Sequence, residues 1–440
     1  MTVWHPMSGY DPDRRRRTVV GGDGVHVTDA DGTRYLDGKS GLWCVNVGYG
    51  RDELAKAGYE QLRTLPYYPL TESHPPALQL AERLDDLLGG GYVCYFSTSG
   101  SEAVEIAIRI ARQYHRNTGA ADRWKVVSRY RAYHGGTPNA LAATGQNQRK
   151  LGYEPLPAGF LHVAPPDEYR CHLCAGRCDQ RCAGEVQRVI TAELPDTVAA
   201  VLVEPVIGGG GVILPPDGHL AELRAVCDRS GALLVVDEAV CGFGRTGRMF
   251  GFQHDGVRPD IVTLAKGVTG GYFPLAVTAV RQEVHEAFPA TGPGALRHIS
   301  TFGGHPVGCA IALANIDVIE REGLVQRSAE LGHRLRALLA PLAELPHVGQ
   351  VRGRGLLVGI ELVADERTRE PVDAAATQAV AAECLRRGLI VGTNTTTAAG
   401  LGNVVSVGPP LIASEDDLAF IAATLGEAIR GLRAAPTGRG

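Results

Sequence analysis

Along the middle of the chain, short apolar runs alternate with polar loops and with stretches whose apolar residues recur every three or four positions. The runs "YVCYFS" (92–97), "KVVSRY" (125–130), "AAVLVEP" (199–205), "ALLVVDE" (232–238), "DIVTLAK" (260–266) and "LAVTAV" (275–280) are continuously apolar, as strands buried on both faces are. Stretches such as "SEAVEIAIRIARQYHRNTG" and "HLAELRAVCDRSG" carry helical spacing between them. Strand, loop and helix in repeated succession predict an α/β fold with a mostly parallel sheet covered on both sides. Ahead of it, residues 18–37 alternate apolar and polar around Gly and Asp turns, which predicts short antiparallel strands. "ESHPPALQLAERLDDLLGGG" predicts a helix that begins after a proline pair and stops on glycines. Beyond a long helical region, "VGQVRGRGLLVGIEL" is strand-like again, and helices at 373–387 and 415–433 flank the polar loop "TNTTTAAGLGN". The expected organisation is an N-terminal segment of a small domain at 1–61, a large domain at 62–315 and the rest of the small α+β domain at 316–440.

Charge removes some functions from consideration. With 44 basic and 48 acidic residues the chain is close to neutral, so neither nucleic acid nor an anionic membrane is the expected partner. No apolar stretch is long enough to span a bilayer, and the first seventeen residues lack the apolar core of a signal peptide. A cytoplasmic protein with reduced thiols is expected. The basic residues are also lopsided: only five are lysines, at 39, 56, 125, 150 and 266. Arginine is always protonated, whereas lysine can lose its proton and act as a nucleophile, so each lysine invites inspection.

Ligands of open parallel sheets bind beyond the carboxyl ends of the strands. Three strands here end in chemically capable residues: Glu204 after "VLV", Asp237 and Glu238 after "LLVV", and Lys266 after "IVTLA". Any one of them could be a surface charge where a strand leaves the core. Together with "STSGSEAVE", where Ser99, Gly100 and Ser101 lead into a helix whose free amides suit a phosphate, they become a specific set. Phosphate cradle, buried acid and reactive lysine are what pyridoxal phosphate requires: the lysine forms a Schiff base, and the acid keeps the pyridine nitrogen protonated. Tyr133 of "YHG" offers a ring to stack on the cofactor, although a core tyrosine would read the same way.

The ordered stretches "YLDGKSGLWCVNVGYG", "TSGSEAVE", "AYHGGT", "VEPV", "VVDEAVCGFGRTG", "TLAKGVTGGYFPLA", "STFGGHPVGCA" and "VRGRGLLVGIEL" cover nearly the whole chain. In these the sequence resembles class III aminotransferases of the fold type I pyridoxal phosphate family, and within them the ω-amino acid or amine:pyruvate branch. The resemblance implies ping-pong transfer of an amino group between an amine or amino-acid donor and an aldehyde, ketone or keto-acid acceptor. Lys266 would bind the cofactor covalently and shuttle the proton, and Asp237 would pair with the pyridinium nitrogen. Ser99, Gly100 and Ser101 would bind the phosphate, joined by Thr301 from a neighbouring subunit, so a homodimer or tetramer with shared sites is implied. Tyr133 would stack on one ring face, with Ala239 and Val240 by the other face and the phenolic oxygen. Glu204 would belong to the polar network behind the ring, and His134 beside it would be a hydrogen-bonding residue rather than a general base. Trp43 and Met7 would line the substrate pocket along with Tyr133.

Two departures bear on substrate. Relatives acting on ornithine or γ-aminobutyrate carry a glutamate in the glycine stretch after "VEP", where this chain has Gly209, so Arg352 is expected to lack its usual acidic partner, which argues against those substrates. Amine:pyruvate enzymes place an arginine near Gly392 to grip a carboxylate. Its loss suggests a bulky or uncharged carbonyl acceptor in a biosynthetic pathway, for instance on a modified peptide. The same fold and residues would also serve a decarboxylase, racemase or aminomutase. "GFGRTG" (242–247) fits a dinucleotide-binding GxGxxG, but "DEAVC" separates it from its strand and no helical pattern follows.

Ten cysteines are too few for a disulfide scaffold. Six (Cys44, Cys94, Cys227, Cys241, Cys309, Cys384) sit singly among apolar or small residues and read as buried hydrophobes. The other four, Cys171, Cys174, Cys178 and Cys182 of "YRCHLCAGRCDQRC", fall in an insertion at about 167–184. They would suit a structural zinc, with His172 as a substitute ligand, or would remain reduced thiols or a local disulfide. In none of these readings do they carry the chemistry.

Overall fold

The computed structural model describes residues 3–11, 16–174 and 178–432. Its centre is a seven-stranded sheet in the order Tyr92–Ser97, Ala276–Arg281, Ile261–Leu264, Leu233–Asp237, Val198–Val203, Lys125–Arg129, Phe160–Val163. Ala276–Arg281 runs antiparallel to both neighbours, and the other six strands share one direction. Val198–Val203, Leu233–Asp237 and Ile261–Leu264 are buried at every position, which is why their sequences do not alternate. Phe160–Val163 was not among the expected strands. It is a half-buried edge strand of four residues between prolines, too short and too mixed to announce itself by period.

The helix Gly100–Asn117 lies across this sheet, burying Ala103, Val104, Ile106, Ala107, Ile108, Ile110 and Ala111. Removing such a surface from water is worth about 25 cal/mol per Å² of apolar area. The helix expected after the proline pair instead begins on it, spanning Pro75–Leu88. Proline is suited to a first helical turn because its missing N–H would have no partner there. His74 caps that turn by accepting from the Ala77 amide at 3.3 Å.

Two smaller sheets draw on both ends of the chain. One pairs the N-terminal strands Val19–Asp23, His26–Asp29 and Arg34–Asp37 with Leu389–Ile390. The other is built from Val348–Gly353, Val358–Asp365, Gly392–Thr393 and Val404–Val407, with Glu370–Pro371 paired to the second of these. Helix Asp52–Thr64 spans position 61 and packs on helix Pro306–Arg321, which spans position 315. Among the described residues no helix is long and apolar enough to cross a membrane.

The glycine run 242–247 is a joint between these parts rather than a nucleotide loop. It wraps the fully buried Arg245, whose guanidinium bonds the Leu356 carbonyl (3.1 Å), Ser40 Oγ (3.1 Å), Asn46 Oδ1 (2.6 Å) and the Pro409 carbonyl. Of the six single cysteines, Cys227, Cys241, Cys309 and Cys384 are buried, while Cys44 and Cys94 are only half-buried.

Candidate active site

Strand direction gathers the chemistry at one edge. Asp237 is the last residue of its strand, Glu204 directly follows Val203, and Lys266 stands two residues beyond Leu264. Lys266 takes φ +44°, a left-handed conformation that costs a side-chain-bearing residue about 1–3 kcal/mol. The turn is held by the Val268 amide donating to the Ala265 carbonyl at 3.0 Å. That strain is carried by a half-exposed lysine at the same sheet edge as the buried Asp237 and Glu204.

Both carboxylate oxygens of the buried Asp237 are fixed. His134 Nδ1 lies 2.9 Å from Oδ2, while Thr263 Oγ1 and the Ala239 amide each donate to Oδ1 at 3.1 Å. His134 is itself fully enclosed, and its Nε2 has no protein partner. The histidine therefore orients the acid, in keeping with a hydrogen-bonding role. Glu204 acts differently: Oε1 accepts from the Tyr133 amide and Oε2 from the Gly208 amide, both at 3.0 Å. It joins the "YHG" loop to the glycine stretch, and burial pushes its carboxyl up to about 7. Glu238, a third strand-end acid, faces away from the cleft. Its oxygens accept from the Gly251 and Phe252 amides, each at 2.8 Å, and burial likewise lifts its carboxyl to about 7.

The start of helix Gly100–Asn117, the expected phosphate site, opens on this edge of the sheet. Ser99 caps helix Gly100–Asn117 by accepting from the Glu102 amide at 3.3 Å. Ser101 Oγ accepts from the Gly136 amide at 3.1 Å, which leaves its own proton free to donate outward. Gly135, at φ +141°, must be glycine, since a Cβ there would stand 2.6 Å from Ser101 Oγ. A Cβ on Gly100 would meet Ala265 at 3.3 Å and Ala239 at 3.8 Å, so the helix start, the strand before Lys266 and the Asp237 turn converge. An 18-residue helix presenting free amides and hydroxyls to this cleft fits a phosphate, and a lysine with an oriented carboxylate fits a pyridine aldehyde.

The rim residues are less closely gathered. Tyr133 is exposed, with the Arg149 guanidinium 4.9 Å from its ring centre, and Arg149 reaches Met7 Sδ at 3.5 Å. Trp43 packs with Val240, Val206 and Val212, and its buried Nε1 has no partner. Thr301 is exposed, its carbonyl accepting from Tyr67 Oη at 2.6 Å, beside the exposed apolar side chains of Ile299 and Phe302.

Arg352 has no acid at position 209 to pair with, and finds one elsewhere. The guanidinium pairs with the fully buried Glu361 of the neighbouring strand and also bonds the Val212 (2.8 Å) and Gly211 (2.6 Å) carbonyls. The same network includes Arg170, on the other side of Glu361, and a buried Arg131–Asp167 pair at 2.6 Å. Arg131 donates to the Gly210 carbonyl at 2.9 Å. Arg352 therefore braces the glycine stretch, and the missing glutamate at 209 leaves no charge unpaired. At Gly392 a Cβ would meet Ser406 Oγ at 2.5 Å and the Lys39 stem at 3.3 Å, so Lys39 fills the space beside it. Lys39 had gone unremarked as a site residue, yet its Nζ is 5.5 Å from the Trp43 ring centre. Its signal was its rarity as a lysine.

Comparison with known proteins gives the family. The family model for class III aminotransferases matches residues 10–429. An uncharacterized aminotransferase, YhxA, of Bacillus subtilis is 54% identical over 97% of this chain and 95% of its own. A taurine–pyruvate aminotransferase of Rhodobacter capsulatus is 42% identical over 98% of this chain and 96% of its own. Among solved structures, a PLP-bound amine transaminase from an uncultivated Pseudomonas species superposes with TM-score 0.93, at 37% identity and 98% coverage of both chains. The chain belongs to the class III aminotransferases, fold type I enzymes that use pyridoxal phosphate.

Proposed function

We propose that the enzyme moves the amino group of an ω-amine, or of an amino acid, to a small 2-keto acid. Bound in the cleft, pyridoxal phosphate supplies an electron-withdrawing ring that takes up the charge left when the donor's α-carbon loses its proton. Lys266 Nζ holds the cofactor aldehyde between turnovers and moves that proton. Asp237 keeps the ring nitrogen protonated, with His134 fixing its direction. Ser99, Gly100 and Ser101 hold the phosphate from the helix terminus, and the partner subunit's Thr301 completes the cradle in a homodimer. The exposed Ile299 and Phe302, at 67% and 57%, give that interface an apolar surface to bury. Tyr133, Ala239 and Val240 bound the ring, while Trp43 and Met7 bound the substrate. The two smaller sheets, with the helices around them, make up one small domain built from both ends of the chain. The observation that carries this reading is the oriented Asp237 carboxylate standing at the same sheet edge as the strained Lys266.

The keto-acid acceptor rests on two cations at the cleft rim. Arg149 stacks on Tyr133, and Lys39 stands by Trp43 with its pKa lowered, first by burial. They weigh against the uncharged acceptor that Gly392 alone suggested. A relative named for taurine, which bears a sulfonate, and pyruvate, which bears a carboxylate, favours the same choice. Lys39→Met keeps the stem but removes the charge. It is expected to raise KM for pyruvate about 10-fold, the usual worth of a charge-assisted contact, with KM for an uncharged aldehyde little changed. Steady-state kinetics with both acceptors check this, and equal effects on the two would contradict it.

A further inference from the structure

The four clustered cysteines have no part in the cleft, and their geometry points to another role. They lie in the crossover that leaves strand Phe160–Val163 and returns through helix Arg181–Ala192, with Cys182 in that helix's first turn. The sulfurs of Cys174, Cys178 and Cys182 all lie within 4.8 Å of one another, and Cys174 and Cys178 are 4.0 Å apart. Thiolates about 2.3 Å from a tetrahedral zinc stand about 3.8 Å from each other, so these three sulfurs need close in by no more than about 1 Å. Cys171, Cys174 and Cys182 are buried, and Cys171 packs in the same cluster. His172 is exposed, so it does not supply the fourth ligand.

The surroundings are those of an anionic centre. Arg129 is buried and bonds the Glu204 carbonyl at 3.2 Å. Among the described residues no carboxylate bonds its guanidinium, so a thiolate–metal centre of net negative charge would balance it. His219 Nδ1 lies 3.8 Å from Cys182 Sγ and 3.2 Å from Gln180 Oε1, where its N–H can serve a thiolate.

We propose that Cys171, Cys174, Cys178 and Cys182 bind one zinc ion as a closed, structural all-thiolate site. Each thiol loses its proton to solvent on binding, and no redox change is involved. The ion pins the crossover just after Asp167 and Arg170, which pair with Arg131 and Glu361. Through Arg131 and Arg352, that network holds the carbonyls of Gly210 and Gly211 beside the cleft. The metal thus stiffens the glycine stretch without touching the reacting atoms.

The test is elemental analysis of tag-free holoenzyme expressed with added zinc, followed by titration of the native protein with an organomercurial. One zinc per chain is expected, released in step with modification of four thiols. Cys174→Ser/Cys178→Ser should lose the zinc, unfold at a lower temperature and keep its cofactor absorbance. If the double variant does not fold, the mercurial titration of the parent still decides. Protein without zinc, zinc that stays while the thiols are modified, or fewer than ten thiols counted in denaturant without reductant, as a disulfide would give, overturns the proposal. An enzyme lacking zinc but fully active as a transaminase would overturn this inference and leave the proposed function standing.

Discussion

Lys266→Ala is expected to purify without a covalently held cofactor and to turn over at least about 10³-fold more slowly. No neighbour can take over its work. Both oxygens of Glu204 are committed to the Tyr133 and Gly208 amides, those of Glu238 to Gly251 and Phe252, and His134 Nδ1 to Asp237. The other four lysines sit elsewhere on the chain, and Lys39, the one at the rim, is beside Trp43. The loss should therefore appear in kcat as well as in the near-visible absorbance. Turnover above a tenth of the parent's, measured in an acceptor assay, would mean that another group moves the proton.

The second large effect is at Asp237. Asp237→Asn keeps the size and much of the hydrogen bonding to Thr263 and Ala239, but it removes the buried negative charge. The ring nitrogen then no longer holds its proton, and the electron-withdrawing power that the proton supplies is lost. A fall of about 10²–10⁴ in kcat is expected. Affinity for the cofactor should also drop, because a charge-assisted contact becomes a neutral one. KM for the donor should move far less than kcat, since in the proposed site Asp237 would meet the cofactor and not the substrate. A merely structural carboxylate would change the melting temperature and leave kcat per bound cofactor intact, so comparing those two readouts separates the roles.

Much of this site could be read from the sequence because its chemistry sits at strand ends. A continuous apolar run fixes where a buried strand stops, and the residue after it is placed at the sheet edge by geometry alone. Asp237, Glu204 and Lys266 were legible for that reason, and the scarcity of lysine sharpened the choice. What escaped depended on contacts between segments distant in sequence or offset in register. Arg352 and Glu361 lie on adjacent antiparallel strands, but Arg352 stands opposite Gly359 and Glu361 opposite Gln350, so the pair is diagonal. A search for an acid only in the glycine stretch misses it. Glu238 follows Asp237 directly, and alternation along the strand turned it to the other face, where amides receive it. The stem of Lys39 against Gly392 joins segments more than three hundred residues apart. The proline pair showed the reverse problem: its local signal was clear, but proline both precedes helices and opens them.

The central claim is that the chain transfers an amino group through Lys266 and its cofactor. Its most direct test is to incubate the holoenzyme with pyruvate and a ¹⁵N-labelled ω-amine such as taurine, and to follow the label by mass spectrometry. The label should appear in alanine, one equivalent for each aldehyde formed from the donor, and should not appear when Lys266→Ala replaces the parent. Consumption of the amine with the label released as free ammonia, and no label in alanine, would contradict the account.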